Sequence, residues 1–186
     1  MPQEPAVFSE PSGISLFLRN QTCCLTGHRI LPPAEQEDVL ARLSAHVERL
    51  IREEGVRYFG VGGAVGFDML GAEYLLRLRD TAEKDLRVIS VIPWPGWMRT
   101  GDWTASLRAR QRKILAASDK VVYVRPAWEN SLYLLRDRRL VEDSAFCISY
   151  CNRPRTGAAY TVRYALRQGV HVLNTCDWDV SQLIKK

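Results

Sequence analysis

The sequence predicts an α/β domain built on a doubly wound, mainly parallel sheet with helices on both faces. Short, almost continuously apolar runs alternate with longer segments whose apolar residues recur at helical spacing. Strands without a polar face are typical of a parallel sheet that is covered on both sides. Glycine-bearing turns follow two of the apolar runs, as expected where a strand passes into a helix. Since no linker or internal repeat interrupts the alternation, we predict a tail or arm over residues 1–20 and one domain over residues 21–186.

The predicted strands are the apolar runs themselves. The first eleven residues read as a loose tail, and the alternation over residues 14–18 predicts an edge strand or a docking arm. Pro93 ends the third strand of the domain. The six strands of the domain are predicted at residues 22–26, 57–61, 87–92, 120–124, 145–150 and 170–173.

The predicted helices lie between these strands. Pro32 and Pro33 introduce the first helix, in which Val39, Leu43 and Val47 recur at helical spacing. Gly55 ends that helix. Helices are predicted over residues 34–54, after the turn at 62–66, over the basic segment around 108–113, and over 132–143 and 158–168.

Composition narrows the class of protein. The chain has 186 residues, 46% hydrophobic and 25% charged, as ordinary globular domains do. No apolar run approaches the roughly 20 residues that span a bilayer, and residues 1–20 lack the pattern of a signal peptide. We therefore predict a cytoplasmic protein without a membrane partner. The five cysteines form no CxxC pair, so we expect reduced thiols and no metal.

The charge of the chain favours phosphate-bearing partners. The net charge is +5, and only five of the 26 basic residues are lysine. Arginine binds phosphate with two parallel hydrogen bonds and stacks on rings. The preference for arginine over lysine therefore fits a nucleotide or a nucleic acid as the partner.

Two turns have the layout of a phosphate cradle. Residues 26–29 (Thr-Gly-His-Arg) and 62–68 each follow an apolar run and precede a predicted helix. Glycine lets the backbone approach a ligand, and the start of a helix offers unpaired N–H groups. Ligands of doubly wound sheets bind at the carboxyl ends of the strands. The candidate ligand-binding residues at these ends are Thr26, Gly27, His28, Arg29, Gly62, Gly63, Gly66, Asp68, Asn152, Thr156, Gly157 and Asn174.

Several of these residues have more than one reading. His28 suits either a base or a phosphate donor. Asp68 suits the first turn of a helix, a ribose contact or the ordering of the glycine turn. The loop from Trp94 to Trp103 suits either a base-stacking lid or packing. The chain has no GxxxxGK[ST] motif, which argues against a P-loop nucleotidase, and residues 60–66 miss GxGxxG by one residue.

Four segments together resemble the DUF1273 family of YpsA-like proteins, a group in the SLOG superfamily. They are residues 23–29, 62–68, 135–144 and 156–165. Relatives in that superfamily include the LOG nucleotide phosphoribohydrolases and the DprA DNA-processing proteins. The resemblance implies a Rossmann-like fold and a nucleotide ligand such as NAD or ADP-ribose, and analogy with related proteins implies a homodimer. The family as known has no established activity.

The chain departs from the family at two points, and it also lacks a motif of the LOG relatives. Asp137 stands where the family usually has Asn, and Thr156-Gly157-Ala158 stands where it has Gly-Gly-Thr. The PGGxGTxxE motif of the LOG hydrolases is absent.

Three functions compete at this point. The first is a nucleotide-binding or sensing protein, which needs only backbone donors, Arg29 and a stacking surface. The second is a hydrolase of N-glycosidic or phosphate bonds, with His28 or Asp68 as the candidate catalytic base and Arg29 stabilising charge. The third is a single-stranded DNA-binding protein, suggested by the DprA relatives, the pI of about 9.1 and the Trp- and Arg-bearing segment 94–113. The sequence is therefore compatible with both a binding protein and an enzyme.

Overall fold

A computed structural model describes residues 7–8, 15–99, 101 and 103–185. Within these residues seven parallel strands form one sheet in the order β1-β5-β4-β3-β2-β6-β7. The strands are β1 (Val7–Phe8), β2 (Thr22–Gly27), β3 (Tyr58–Val61), β4 (Arg87–Ile92), β5 (Lys120–Tyr123), β6 (Phe146–Tyr150) and β7 (His171–Asn174).

Helices connect these strands. They are α1 (Leu16–Asn20), α2 (Gln36–Glu53), α3 (Phe67–Thr81), α4 (Ala105–Ala117), α5 (Leu132–Glu142) and α6 (Gly157–Arg167). Short 3₁₀ turns lie at Pro33–Glu35, Trp97–Arg99 and Val180–Leu183. Among the residues described, no helix has both the length and the apolar character that crossing a membrane requires.

Two apolar cores cover the two faces of the sheet. The larger core packs α2 and α3 against β2, β3 and β6. The second core packs α5 and α6 against the opposite face, where Cys24 and Cys147 lie side by side in register. Helices on both faces of a parallel sheet confirm the predicted fold class.

The apolar stripe of α2 explains why the longest helix forms where the sequence predicts it. Val39, Leu43, Val47 and Leu50 are buried along one side of α2. The helix ends at Gly55, which has φ +67° and so adopts the left-handed conformation that ends many helices. From residue 22 onward the predicted strands and helices are present, with small shifts of their ends.

The start of the chain differs from the prediction. The expected edge strand at residues 14–18 is wrong for the described part of that segment, because Leu16–Asn20 forms α1. The Ser15 hydroxyl accepts a hydrogen bond from the Leu18 amide at 3.3 Å, and this N-cap favours a helix despite the alternating pattern. Ile14 lies outside the described residues. Within the segment expected as a loose tail, Val7–Phe8 pairs with β5.

The strand order reverses beside β2. From β2 the chain adds β3, β4 and β5 on one side, then returns to place β6 and β7 on the other. Gly27 at the end of β2 therefore pairs with Tyr150 at the end of β6. In doubly wound sheets, ligands bind in the crevice that such a reversal leaves open.

Candidate ligand-binding cleft

A cleft of about 320 Å³ opens at the carboxyl ends of β2 and β6, where the strand order reverses. Its walls are the turn after β2, the glycine turn after β3, the first turns of α5, and the loop that leads into α6. The residues of the sequence-based set that line it are Thr26, Gly27, His28, Arg29, Asp68, Thr156 and Gly157.

The two predicted turns are in direct contact. The Phe67 amide, which begins α3, donates a hydrogen bond to the His28 carbonyl at 3.2 Å. Gly66 has φ +81°, and a Cβ at this position would collide with the carbonyl groups of His28 and Arg29. The start of α3 thus supports the turn after β2, and its first amide is used within the protein.

Gly62, Gly63 and Gly66 belong to the glycine turn after β3, and they do not line the cleft. The Gly62 carbonyl accepts a hydrogen bond from the guanidinium of Arg136. Gly63 has φ +70°, and a Cβ there would meet Ile92 and Gln111. The glycines therefore allow close packing around the turn.

Asn152 and Asn174 also lie outside the cleft lining. The backbone N–H of Asn152 donates a hydrogen bond to Nε2 of His28 at 3.2 Å. The Asn174 side chain accepts from the Ser149 hydroxyl and the Cys151 amide, both at 3.0 Å, and donates to the Cys151 carbonyl at 2.9 Å. Asn152 thus orients His28, and Asn174 fixes the chain after β6.

His28 is a neutral, oriented imidazole. Its Nε2 accepts the Asn152 amide, which places the ring proton on Nδ1. Burial lowers the pKa of His28, and the positive charge of Arg153 lowers it further. The ring also packs edge-on against Tyr150, with centroids 5.5 Å apart. For His28 to act as a base through Nε2, this nitrogen would first have to release the Asn152 amide.

Asp68 is a buried carboxyl group at the cleft. Only 5% of the residue is exposed, and burial raises its pKa from 3.8 to about 6. Three groups lower this pKa, namely the guanidinium of Arg136 and the backbone amides of Ala64 and Gly62. The negative charge of Asp137 raises it further. The Ala64 amide donates to Oδ2 at 3.4 Å. Asp68 therefore orders the glycine turn and also faces the cleft.

Helix α5 supplies a second pair of charged groups. Nε of Arg136 lies 2.6 Å from Oδ1 of Asp137, an ion-pair separation without hydrogen-bond geometry. The other oxygen of Asp137 accepts from the Thr161 hydroxyl at 3.1 Å. With the bond from Arg136 to Gly62, this network joins the glycine turn, α5 and α6.

The start of α6 presents unpaired amides to the cleft. The Thr156 hydroxyl caps the helix by accepting the Ala159 amide at 3.1 Å. The amides of Gly157 and Ala158 donate to no described residue, and both residues line the cleft. Unpaired amides at a helix N-terminus favour a negatively charged group.

Two exposed cations lie near this helix start. Arg29 and Arg153 line the cleft, and neither forms an ion pair with a carboxylate in the described part of the chain. The Arg29 guanidinium lies over the ring of Tyr133, 5.7 Å from its centroid. Arginines without a carboxylate partner are available to an incoming anion.

The tryptophan loop packs into the protein. Trp94 and Trp97 are 6% and 3% exposed. Trp94 packs edge-on against Tyr133, and Trp97 against Trp103. Of the two alternatives for this loop, the packing role is the one observed. Through Tyr133, Trp94 also supports one wall of the cleft.

In the ranges that the structure describes, no group of three or more His, Cys, Asp or Glu side chains is placed to hold a metal ion. All five cysteines are free thiols, and four of them are buried.

Strand-end reasoning missed about half of the cleft. Helix α5 contributes residues from its first two turns, which no rule about strand ends identifies. Ile30 carries a signal of its own, since it is a large apolar residue directly after the Thr-Gly-His-Arg turn. The cleft residues outside the candidate set are Ile30, Ala64, Tyr133, Leu134, Arg136, Asp137, Arg153 and Ala158.

The fold and the cleft define a Rossmann-like α/β protein, and solved structures narrow the fold further. The chain is similar to DNA processing protein A (DprA) from Streptococcus pneumoniae, with a TM-score of 0.60 and 16% identity over 82% of this chain and 49% of that one. It is also similar to DprA from Helicobacter pylori, whose structure describes a single-stranded DNA binding mode, with a TM-score of 0.56 and 15% identity over 86% and 68% of the two chains.

These similarities show that the chain has a DprA-like fold. The chain spans about half the length of the Streptococcus pneumoniae protein. No protein-family model matches the sequence, and no curated protein matches it.

Proposed function

We propose that the protein binds a nucleotide or a nucleotide derivative, such as NAD or ADP-ribose, and acts as a nucleotide-binding or sensing protein. The observation that carries the proposal is the convergence, at the strand-order reversal, of the unpaired amides of α6 with Arg29 and Arg153. Such groups bind phosphate by charge and by backbone donors together. A binding role uses all of these groups and requires no nucleophile.

The remaining walls of the cleft suit the rest of a nucleotide. Ile30 and Leu134 expose apolar side chains at the cleft, and Tyr133 offers a ring beneath Arg29. Pockets for small molecules combine such apolar walls with a few polar groups, and they measure roughly 300–1,000 Å³. At about 320 Å³ the cleft lies near the lower end of that range. A small nucleotide ligand fits this size better than a long polymer segment.

The proposal extends to membership of the DUF1273 family of YpsA-like proteins. All four segments that carry the resemblance contribute residues to the cleft. They do so through residues 26–29, through Ala64 and Asp68, through Arg136 and Asp137, and through residues 156–158. Motifs that are far apart in the chain and meet at one cleft are what a shared ligand site requires.

A ligand panel tests the proposal. The melting temperature should rise with NAD, ADP-ribose or one of the nucleoside monophosphates, because a ligand that binds only the folded state stabilises it. The critical variant is Gly157→Asp. No atom lies within 4 Å of a Cβ added at Gly157, and an acidic residue suits the first turn of a helix. The variant should therefore fold normally while its carboxylate repels the phosphate.

Ser106→Asp is the matched control, since it adds the same charge to the exposed first turn of α4. It should keep the ligand-induced shift that Gly157→Asp loses. If no compound in the panel raises the melting temperature of the unaltered protein at millimolar concentration, the proposed function is wrong. If Gly157→Asp retains the full shift, the ligand binds elsewhere.

Single-stranded DNA binding is the second candidate, and the likeness to DprA favours it. The Helicobacter pylori structure describes a single-stranded DNA binding mode. In this chain, exposed arginines at the carboxyl edge of the sheet, among them Arg29, Arg125 and Arg153, would contact a phosphate backbone. Binding of a fluorescent oligothymidine should then weaken steeply with salt. Absent binding, or binding that salt does not change, would exclude this candidate.

A further inference from the structure

Charge is distributed unevenly along the cleft. Its outer part carries the exposed cations Arg29 and Arg153 and the start of α6. Its inner part carries Asp68, Arg136 and Asp137, which are largely shielded from solvent. The charge of Arg136 is already engaged by Asp137 and by the Gly62 carbonyl. A phosphate is therefore favoured at the outer part and repelled by the carboxylates of the inner part.

The carboxylate of Asp68 has room for a further donor. Its Oδ2 accepts the Ala64 amide at 3.4 Å, and the Gly62 amide also interacts with the carboxylate. Asp68 is 5% exposed and lines the cleft. Because a carboxylate can accept about four hydrogen bonds, a donor on a ligand would satisfy it further. By contrast, both oxygens of Asp137 are engaged, one by Arg136 and one by Thr161.

We infer that Asp68 accepts a hydrogen bond from a ribose hydroxyl of the bound nucleotide, so that the cleft selects ribonucleotides over their deoxy forms. The inference rests on the proposed function. The start of α6 and Asp68 line the same cleft, so a nucleoside 5′-phosphate whose phosphate lies at α6 would carry its 2′ and 3′ hydroxyls into the space that Asp68 borders. An ionised carboxylate offers no proton, so it recognises a donor such as a hydroxyl.

Calorimetric titration tests this inference. The probes are AMP, GMP, CMP and UMP, each compared with its 2′-deoxy and 3′-deoxy forms. Hydrogen bonds to charged groups contribute about 1.5–3 kcal/mol. Loss of the contacting hydroxyl should therefore weaken binding to the unaltered protein by about 10-fold or more. Asp68→Ala should bind the ribo and deoxy forms with nearly equal affinity.

Two further variants make the result specific. Asp85→Ala removes an exposed carboxylate between α3 and β4, and it should keep the preference for the ribo form. Asp68→Asn keeps the shape of the side chain while removing its charge, so it should reduce the preference even if Asp68→Ala folds poorly.

The outcomes separate this inference from the proposed function. Equal binding of ribo and deoxy forms by the unaltered protein would overturn the inference and leave nucleotide binding intact. If both Asp68 variants keep the preference for the ribo form, another residue contacts the hydroxyl and the inference is also overturned. If no monophosphate binds, the inference fails, and the melting shifts with NAD and ADP-ribose decide the proposed function separately.

Discussion

Asp68 shows the conflict between burial and ionisation at the scale of one residue. A carboxyl group in this position loses most of its hydration, and the two amides and the guanidinium nearby compensate only in part. Natural proteins retain such groups where a ligand uses them, although a neutral side chain would fit the folded state better. The charge of Asp68 therefore has a measurable cost in stability.

The pH dependence of stability should reveal that cost. Because the pKa of Asp68 is about 6 in the folded protein, against 3.8 ordinarily, the folded state binds the proton more tightly than the unfolded chain. The contribution of this group is then most favourable below pH 4 and is lost as pH rises from 4 to 6. A shift of about two pKa units corresponds to ~3 kcal/mol.

Asp68→Asn cannot ionise, so it should be more stable than the unaltered protein at pH 8, by about 1–3 kcal/mol. The difference should disappear near pH 4, where both side chains are neutral. Urea denaturation at pH 4, 6 and 8 measures it. A stability difference that stays constant across this range would show that Asp68 is well solvated or fully paired.

At the scale of elements, helix α6 combines a side-chain cap with unpaired amides at the cleft. The Thr156 hydroxyl satisfies the Ala159 amide, which leaves the two preceding amides directed at the cleft. Helix α4 has the same kind of cap, since the Thr104 hydroxyl accepts the Leu107 amide at 3.2 Å, at a distance from the cleft. The two helices form a natural comparison between folding and binding roles.

Thr156→Ala and Thr104→Ala should each cost about 1 kcal/mol of stability, because each removes a threonine N-cap. Under the proposed function, only Thr156→Ala should also weaken nucleotide binding, since fraying of the first turn of α6 disturbs the amides proposed to contact the phosphate. Urea denaturation and calorimetric titration on the same two variants separate the effects. Equal affinity in both variants would mean that α6 does not contact the ligand.

The elements differ in how well the sequence predicts them. Strands β2, β4 and β6 are short apolar runs bounded by polar residues, glycine or proline, so local pattern suffices to locate them. Helix α1 is different. The alternation over residues 14–18 predicts a strand when only the periodicity is considered, but the N-cap at Ser15 favours the helix that is observed.

From local pattern alone, the cleft was predictable only where it is built from strand ends, and residues 135–144 were marked only by the family resemblance. The turn 26–29, Asp68 and Thr156 are marked by glycine, by position after an apolar run, or by a cap pattern. Arg136 and Asp137 carry no such mark, because they reach the cleft through the packing of α5 onto the sheet. The placement of a helix across a sheet depends on contacts distant in the chain, which periodicity does not contain.

At the scale of the whole molecule, β2 is the most enclosed strand. It lies between β3 and β6, and Cys23 and Cys24 have no exposed surface on either face. Strand β7 lies at the edge of the sheet among the described strands, and its residues are partly or fully exposed. Local opening is expected to be rarest where pairing and packing are complete.

Amide hydrogen exchange should follow this order. The amides of residues 23–25 and 147–149 should exchange most slowly, at rates set by global unfolding, and those of 171–174 should exchange faster by at least 10-fold. Exchange followed by mass spectrometry of peptides measures it. Equally slow exchange in β7 would indicate that a further chain covers this edge.

The pairing of Gly27 with Tyr150 has a consequence for when the cleft forms during synthesis. The two sides of the cleft are encoded more than a hundred residues apart, so a nascent chain that has completed β5 still has an open flank beside β2. Only when β6 docks on that flank and α6 follows is the cleft complete. Formation of the cleft is therefore a late event in biogenesis, and a translation product that stops after α5 would lack its α6 side.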